Sequence, residues 1–251
     1  MNTAKQNPSK ITYFISDLHL SAEREDITEC FLRFMQDEAP QAEALYILGD
    51  LFEVWVGDDD VSDFSELIAS AIAEISKRMP VYFIHGNRDF AIGNTFADRC
   101  GMQLLPEQAV IDLYGRQTLI SHGDELCTRD IEYMKFRKKA RGWWWPTMML
   151  ALPLRLRKKI AARGRRVSQK NHQRLTEEIM DVTPAEVHRV MRHYGVDFFI
   201  HGHTHRPNVH NFELDGERKQ RIVLGDWYDQ GSILLASANE LSLQTRAFSG
   251  Q

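Results

Sequence analysis

Five short polar clusters carry the residue types that bind transition metals. They are Asp17-Leu18-His19, Gly49-Asp50, Gly86-Asn87-Arg88-Asp89, His122-Gly123-Asp124 and His201-Gly202-His203-Thr204-His205. The last holds three of the ten histidines in five residues, and imidazole is the commonest metal ligand among side chains. Side chains alternate along an extended segment, so His201, His203 and His205 are expected to share a face, as are Asp17 and His19. One such cluster means little, because polar loop ends often contain incidental histidines. Together, Asp17, His19, Asp50, Asn87, His122, His203 and His205 offer two carboxylates, an amide and four imidazoles, without a thiolate. That donor set suits Mn2+, Fe, Co2+, Ni2+ or Zn2+. Seven side chains are too many for one tetrahedral ion and fit two, with Asp50, alone at its position, as the natural bridge. Two such ions, about 3.5–4 Å apart, are suited to a phosphoryl centre undergoing in-line displacement.

These clusters need elements that bring them together. Each follows a short apolar, β-rich run: residues 11–16, 44–48, 81–84, 117–121 and 197–200. Such runs bounded by turn residues read as buried strands. Helical stripes lie between them, at 27–39 (Ile27, Phe31, Phe34, Met35), at 61–79 (Val61, Phe64, Leu67, Ile68, Ile72, Ile75, Met79) and at 92–100. Asp58-Asp59-Asp60 reads as the acidic start of the second helix, where the dipole favours carboxylates. Strand–helix alternation predicts an α/β fold, in which ligands gather at strand carboxyl ends. The rhythm stops at about 131–181, where no strand is read and helices are expected at 132–141, 147–163 and 165–180. The expectation is one domain over 1–251 with a helical insertion there. Thr183-Pro184-Ala185-Glu186 then opens a capped helix that Gly195 stops. Strands at 221–224, 232–236 and 241–248 close the chain.

A hydrophobic content of 43% over 251 residues allows a substantial core. Cys30, Cys100 and Cys127 are scattered and odd in number, which points to a reducing compartment. The polar first ten residues do not read as a signal peptide, so a cytoplasmic protein is expected. The longest uncharged stretch, 142–154, falls short of the about 20 residues a membrane span needs. Charge is unevenly spread. Residues 135–170 hold 13 Lys and Arg and no Asp or Glu, leaving 18 basic residues against all 35 acidic ones elsewhere. Trp143-Trp144-Trp145 and Met148-Met149-Leu150 lie inside that basic stretch. A merely solvated face has no use for them, whereas an interfacial helix does.

The five motifs resemble those of the calcineurin-like metallophosphoesterases, and within them the UDP-2,3-diacylglucosamine diphosphatases of lipid A biosynthesis. The resemblance runs from about Ile11 to Phe248 and includes Tyr46-Ile47-Leu48-Gly49-Asp50-Leu51-Phe52-Glu53 and Val223-Leu224-Gly225-Asp226-Trp227. It implies a β-sandwich flanked by helices, with the insertion as a cap over the active site. It also implies two divalent ions, usually Mn2+. Asp17, His19, Asp50 and His205 would hold one, and Asp50, Asn87, His122 and His203 the other. Asn87, Arg88 and His203 would be catalytic, with substrate contacts from Asn87, Arg88, Asp130, Ser168, His172 and His203. Where the family often has Asn and then Lys, this chain has His172 and Leu175, with Lys170, Asn171 or Arg174 as substitutes. Many relatives have His after the Asn, suited to protonating an alkoxide. This chain has Arg88. A phosphate-monoester leaving group, with a pKa of about 6, needs little such help, and a guanidinium clamp serves better. The implied reaction is attack of water on the α-phosphorus, giving UMP and 2,3-diacylglucosamine 1-phosphate. The implied partners are a lipid-linked UDP-sugar and the cytoplasmic face of the inner membrane, bound peripherally, without nucleic acid. Two alternatives compete. One is a phosphodiesterase acting on cyclic nucleotides or nucleic acid, with bases stacking on tryptophan. The other is a binding module that has lost catalysis, although such a module has no need of all seven donors.

Overall fold

The computed structural model describes residues 10–172 and 181–248, with the side chains of 167–172 excepted. Two sheets face each other. The first has six strands in the order β11-β10-β1-β2-β3-β4: β1 (Ile11–Ile15), β2 (Ala44–Ile47), β3 (Val81–Phe83), β4 (Met102–Leu104), β10 (Gly231–Ser237) and β11 (Leu241–Arg246). The second has the order β5-β6-β7-β9-β8: β5 (Gln108–Leu113), β6 (Arg116–Ser121), β7 (Phe198–His201), β8 (Asn208–Leu214) and β9 (Glu217–Val223). β1 to β4 are parallel, as are β6, β7 and β9, while β10, β11, β5 and β8 pair antiparallel at the flanks.

The two-residue period of each strand divides the core. In β1, Tyr13 and Ile15 pack towards α1 (Glu25–Arg33), α2 (Asp63–Ser76) and α3 (Asn94–Cys100), while Phe14 enters the layer between the sheets. In β7, Phe199 faces α7 (Pro184–Tyr194) and Ile200 the inter-sheet layer. The result is a helix–sheet–sheet–helix sandwich. The parallel strands of both sheets send their carboxyl ends to one edge, where the polar clusters lie.

Three expectations need correcting. The first concerns the acidic triple, which does not start α2. Ser62 caps that helix with Ser65. Asp58 instead accepts the Gly93 and Phe96 N–H groups at the start of α3 (2.9 and 3.0 Å). Val61 and Leu67 are largely exposed rather than part of the stripe. The second concerns the helices of 131–172, which are α4 (Ile131–Ala140), α5 (Trp144–Leu150) and α6 (Leu154–His172). The break comes before Pro153, whose ring cannot continue α5, and Gly164 lies within α6. The third is an omission: β4, only three residues long, was not expected, and neither were the hairpin strands β5 and β8. They join β6 and β9 through Tyr114-Gly115 and Asp215-Gly216, all at positive φ, the conformation that matches hairpin twist.

Candidate metal centre

The loops that leave β1 and β2 keep pairing beyond the strands. Asp17 N–H donates to Gly49 O (3.1 Å), His19 N–H to Asp50 O (3.0 Å), and Leu20 N–H to Leu51 O (2.9 Å). This zipper brings Asp17, His19 and Asp50 together. Glycine is needed where backbone meets carboxylate: a Cβ on Gly86 would overlap Asp50 Oδ1, and one on Gly202 would overlap Ser16 Oγ and Asp17 Oδ2. Asp17, His19, Asp50, His203 and His205 all have φ between 51° and 70°. Their side chains therefore converge through left-handed turns and not through strand alternation. His201 does not join them. It is buried at the end of β7, its Nδ1–H donates to Gly202 O (2.8 Å), and its Nε2 faces the Arg221 guanidinium (3.2 Å).

Two groups of donors form. Asp17, His19 and His205 make one, and Asp17, Asp50 and His122 the other, with one atom per residue all within 4.8 Å of each other. Asp17 is common to both. Asp50 lies between them, with Oδ2 3.8 Å from His19 Nε2 and Oδ1 3.7 Å from His122 Nε2. Asn87 Oδ1 lies 3.1 Å from His122 Nε2. His203 is outside both groups. Its N–H donates to Asp17 Oδ2 (2.8 Å) and its ring meets that of His122 edge-on at 5.0 Å.

The donors fit cations. His122 Nδ1–H donates to Leu48 O (2.8 Å), which turns the Nε2 lone pair inward towards the Asn87 oxygen. His19 Nε2 and His205 Nε2 face each other at 3.4 Å. Asp17 Oδ1 is buried and accepts no hydrogen bond. His205 Nε2 also lies 3.3 Å from Asp17 Oδ1, so imidazole nitrogens and carboxylate oxygens converge on one centre. Burial disfavours charge on His205, but Asp17 and Asp226 outweigh it and push its pKa up to about 10. Burial alone would lower His122, but Asp50, Asp17 and Asp124 raise it. Burial, with the neighbouring His122, takes His203 down to about 3. The carboxylates make the centre attractive to positive charge, whether carried by a proton or a metal ion.

A family model described as calcineurin-like phosphoesterase matches residues 12–207. A UDP-2,3-diacylglucosamine hydrolase of Photobacterium profundum is 52% identical over 239 residues, covering 95% of this chain and 98% of that one. One from Aeromonas salmonicida is 50% identical over 94% of this chain and 93% of its own. The chain belongs to the calcineurin-like phosphoesterases. The crystal structure of Chaetomium thermophilum Vps29, only 11% identical, superposes with a TM-score of 0.50 over 97% of this chain and 100% of that one. That is a likeness of fold alone.

Around the donors of this calcineurin-like phosphoesterase stands a second layer of residues for which the sequence suggested no role. Asp226 Oδ2 lies 2.9 Å from His205 Nδ1, and Glu53 Oε2 lies 2.9 Å from His19 Nδ1. Tyr228 stacks on His19 at 5.2 Å. Asp89 accepts the Gly86 and Leu51 N–H groups (2.9 and 2.7 Å), tying two ligand loops together. The available signal was position: Glu53 and Asp226 closely follow strand-end Gly-Asp or Gly residues. Asp124, buried two residues after His122, binds Tyr133 Oη (2.5 Å) and Arg137 Nε (2.8 Å) from α4. Arg141, at the end of α4, donates to His85 O and Gly86 O (3.2 and 3.0 Å). Asp124→Ala would leave Tyr133 Oη without its acceptor and Arg137 with Glu107 (2.9 Å) as its remaining close carboxylate. A loss of about 1–3 kcal/mol is expected, measured by urea unfolding.

The other expected substrate contacts are spread out. Asp130 caps α4, accepting the Tyr133 N–H (2.9 Å). Arg88 is mostly buried, and its Nε is buried without an acceptor. Ser168 and His172 fall in the last turns of α6, where side chains lie outside the described residues, as do Arg174 and Leu175.

Proposed function

We propose that the chain hydrolyses the diphosphate of UDP-2,3-diacylglucosamine in lipid A biosynthesis, as a metal-dependent enzyme with two Mn2+ ions. The observation that carries this reading is the 52% identity to a UDP-2,3-diacylglucosamine hydrolase across nearly the whole of both chains. Asp17, His19, Asp50 and His205 would hold one ion, and Asp50, Asn87, His122 and His203 the other. Such a pair supplies Lewis-acid charge for the phosphoryl oxygens and acidifies water. The protein's own groups do the rest. Arg88 turns its unsatisfied Nε–H to the diphosphate and clamps its oxygens. His203, kept neutral by burial, and Asn87 orient the reacting phosphoryl group. Water attacks the α-phosphorus, the bond to the bridging oxygen breaks, and that oxygen leaves on the sugar phosphate.

Helices α4 to α6 serve as the cap. Arg157 donates to Val56 O (2.6 Å) and Asp59 Oδ1 (2.8 Å), and Lys158 pairs with Asp60 (2.7 Å), which docks α6 on the loop before α2. Beside this contact is a cleft of about 510 Å3 lined by Val54, Val56, Asp60, Lys158, Ala162, Arg165 and Arg166. Its apolar side chains, with three cations against one carboxylate, suit a lipid that carries phosphate. α5 has no buried residue, and Trp143 is 89% exposed. Apolar side chains ringed by Lys and Arg support peripheral binding to an anionic membrane surface. No helix among the described residues is long and apolar enough to cross a membrane.

Hydrolysis of a UDP-diacyl sugar in 18O-water tests the reading, with a cyclic nucleotide and single-stranded DNA as comparison substrates. The label is expected in UMP. Label in the sugar phosphate would refute α-attack, and preferential cleavage of either comparison substrate would refute the substrate. Replacing Trp143, Trp144 and Trp145 with Ala should raise KM for the diacyl substrate by about tenfold, one rim's worth of apolar contact. A short-chain analogue should be barely affected, and an equal loss on both would count against the lipid role.

A further inference from the structure

Three imidazoles turn Nε2 towards the centre while something holds Nδ1. For His122 the holder is the Leu48 carbonyl, for His205 it is Asp226, and for His19 it is Glu53. Glu53 differs in what its other oxygen does. Oε1 lies 2.8 Å from Arg165 NH2, on α6, and 4.0 Å from Arg88 NH1. Among the described residues, it is the carboxylate that touches the metal centre and α6 at once. Its place is fixed by backbone: Glu53 N–H donates to Leu20 O (3.1 Å), and Leu20 bridges Phe52. The side chain is only 12% exposed, so it has few other places to go. The approach to His19 Nδ1 is off the hydrogen-bond axis, yet neither Nδ1 nor Oε2 has any other partner.

We infer that Glu53 is a positioning residue that links the seating of α6, through Arg165, to the orientation of the His19 imidazole. This rests on the reading of His19 as a metal ligand. A carboxylate on the outer nitrogen of a ligand imidazole fixes its tautomer and raises its basicity. Arg165 holds that carboxylate from the far side, so lifting α6 loosens the grip on His19. The centre would then hold metal best when α6 is down, and premature hydrolysis with an open cleft would be disfavoured.

Mn2+ titration of the full chain, followed by calorimetry and by the EPR signal of free Mn2+, tests this without substrate. The native chain is expected to bind two ions; if it does not, the metal-centre reading fails, whatever Glu53 does. Glu53→Gln, of nearly the same shape, should weaken one of the two sites by about tenfold or more and leave the other unchanged. Excess Mn2+ should restore its turnover, which a misfolded variant would not show. Arg165→Ala should weaken the same site by about threefold in the native background and have no effect in Glu53→Gln. Arg165→Lys should recover most of that loss. Native affinity at both sites in Glu53→Gln would overturn the role of Glu53. Unchanged or tighter binding in Arg165→Ala, or an equal effect in both backgrounds, would overturn the link to α6.

Discussion

Asp50→Asn is expected to lower kcat on the UDP-diacyl sugar by at least about 10^3-fold, while the chain still folds. The side chain is buried, and each oxygen faces a different imidazole, His19 on one side and His122 on the other. Oδ1 also accepts the Arg88 N–H (2.8 Å). Asparagine keeps the shape and that backbone hydrogen bond, but it replaces a charged oxygen with an NH2 group that repels a cation. Metal-centred stabilisation of a phosphoryl transition state is worth several kcal/mol, and about 1.4 kcal/mol is tenfold in rate. Steady-state kinetics with bound-metal analysis and circular dichroism check the result. Turnover within tenfold of native, with two ions bound, would mean that Asp50 is not the central ligand.

Arg88→Ala should behave differently. It should lose about 10^2- to 10^3-fold in kcat, comparable to losing one oxyanion-hole donor, with metal content unchanged. The reason lies in what Arg88 lacks. Its Nε is buried with no acceptor, and its NH1 comes only within 4.0 Å of Glu53 Oε1. A buried donor held in this state costs stability unless a substrate oxygen satisfies it. Arg88→Lys should recover little, because a point charge cannot reproduce the guanidinium fork. Metal loss in Arg88→Ala, or native kcat, would remove the phosphate clamp from the mechanism.

The sequence revealed β1, β2, β3, β6 and β7 because these buried strands are apolar runs, and it revealed the donors because they sit where those runs stop. β4 escaped because it is only three residues long, and of β9 only its buried apolar end was legible. β5 and β8 were not legible. Both are half-exposed edge strands that alternate with polar residues, and their turns use Tyr114-Gly115 and Asp215-Gly216, of which the second was a usable signal. Asp58 to Asp60 looked like the start of the nearest helix, yet their partners come from α3 and α6, contacts that local pattern cannot foresee. The same holds for Glu53, Asp226 and Asp124, whose partners lie far along the chain or in a segment read only as basic helix. His201 was grouped with His203 and His205 by alternation, which fails where the backbone turns left-handed after β7.

Those left-handed turns also set when the cost of the site falls due. Asp and His tolerate this conformation better than most residues, but five such positions still cost roughly 1 kcal/mol each. That cost belongs to folding, and ion binding would offset it, because whatever binds only the folded chain stabilises it. Stripped protein should melt early, and its melting temperature should climb with the logarithm of free manganese concentration.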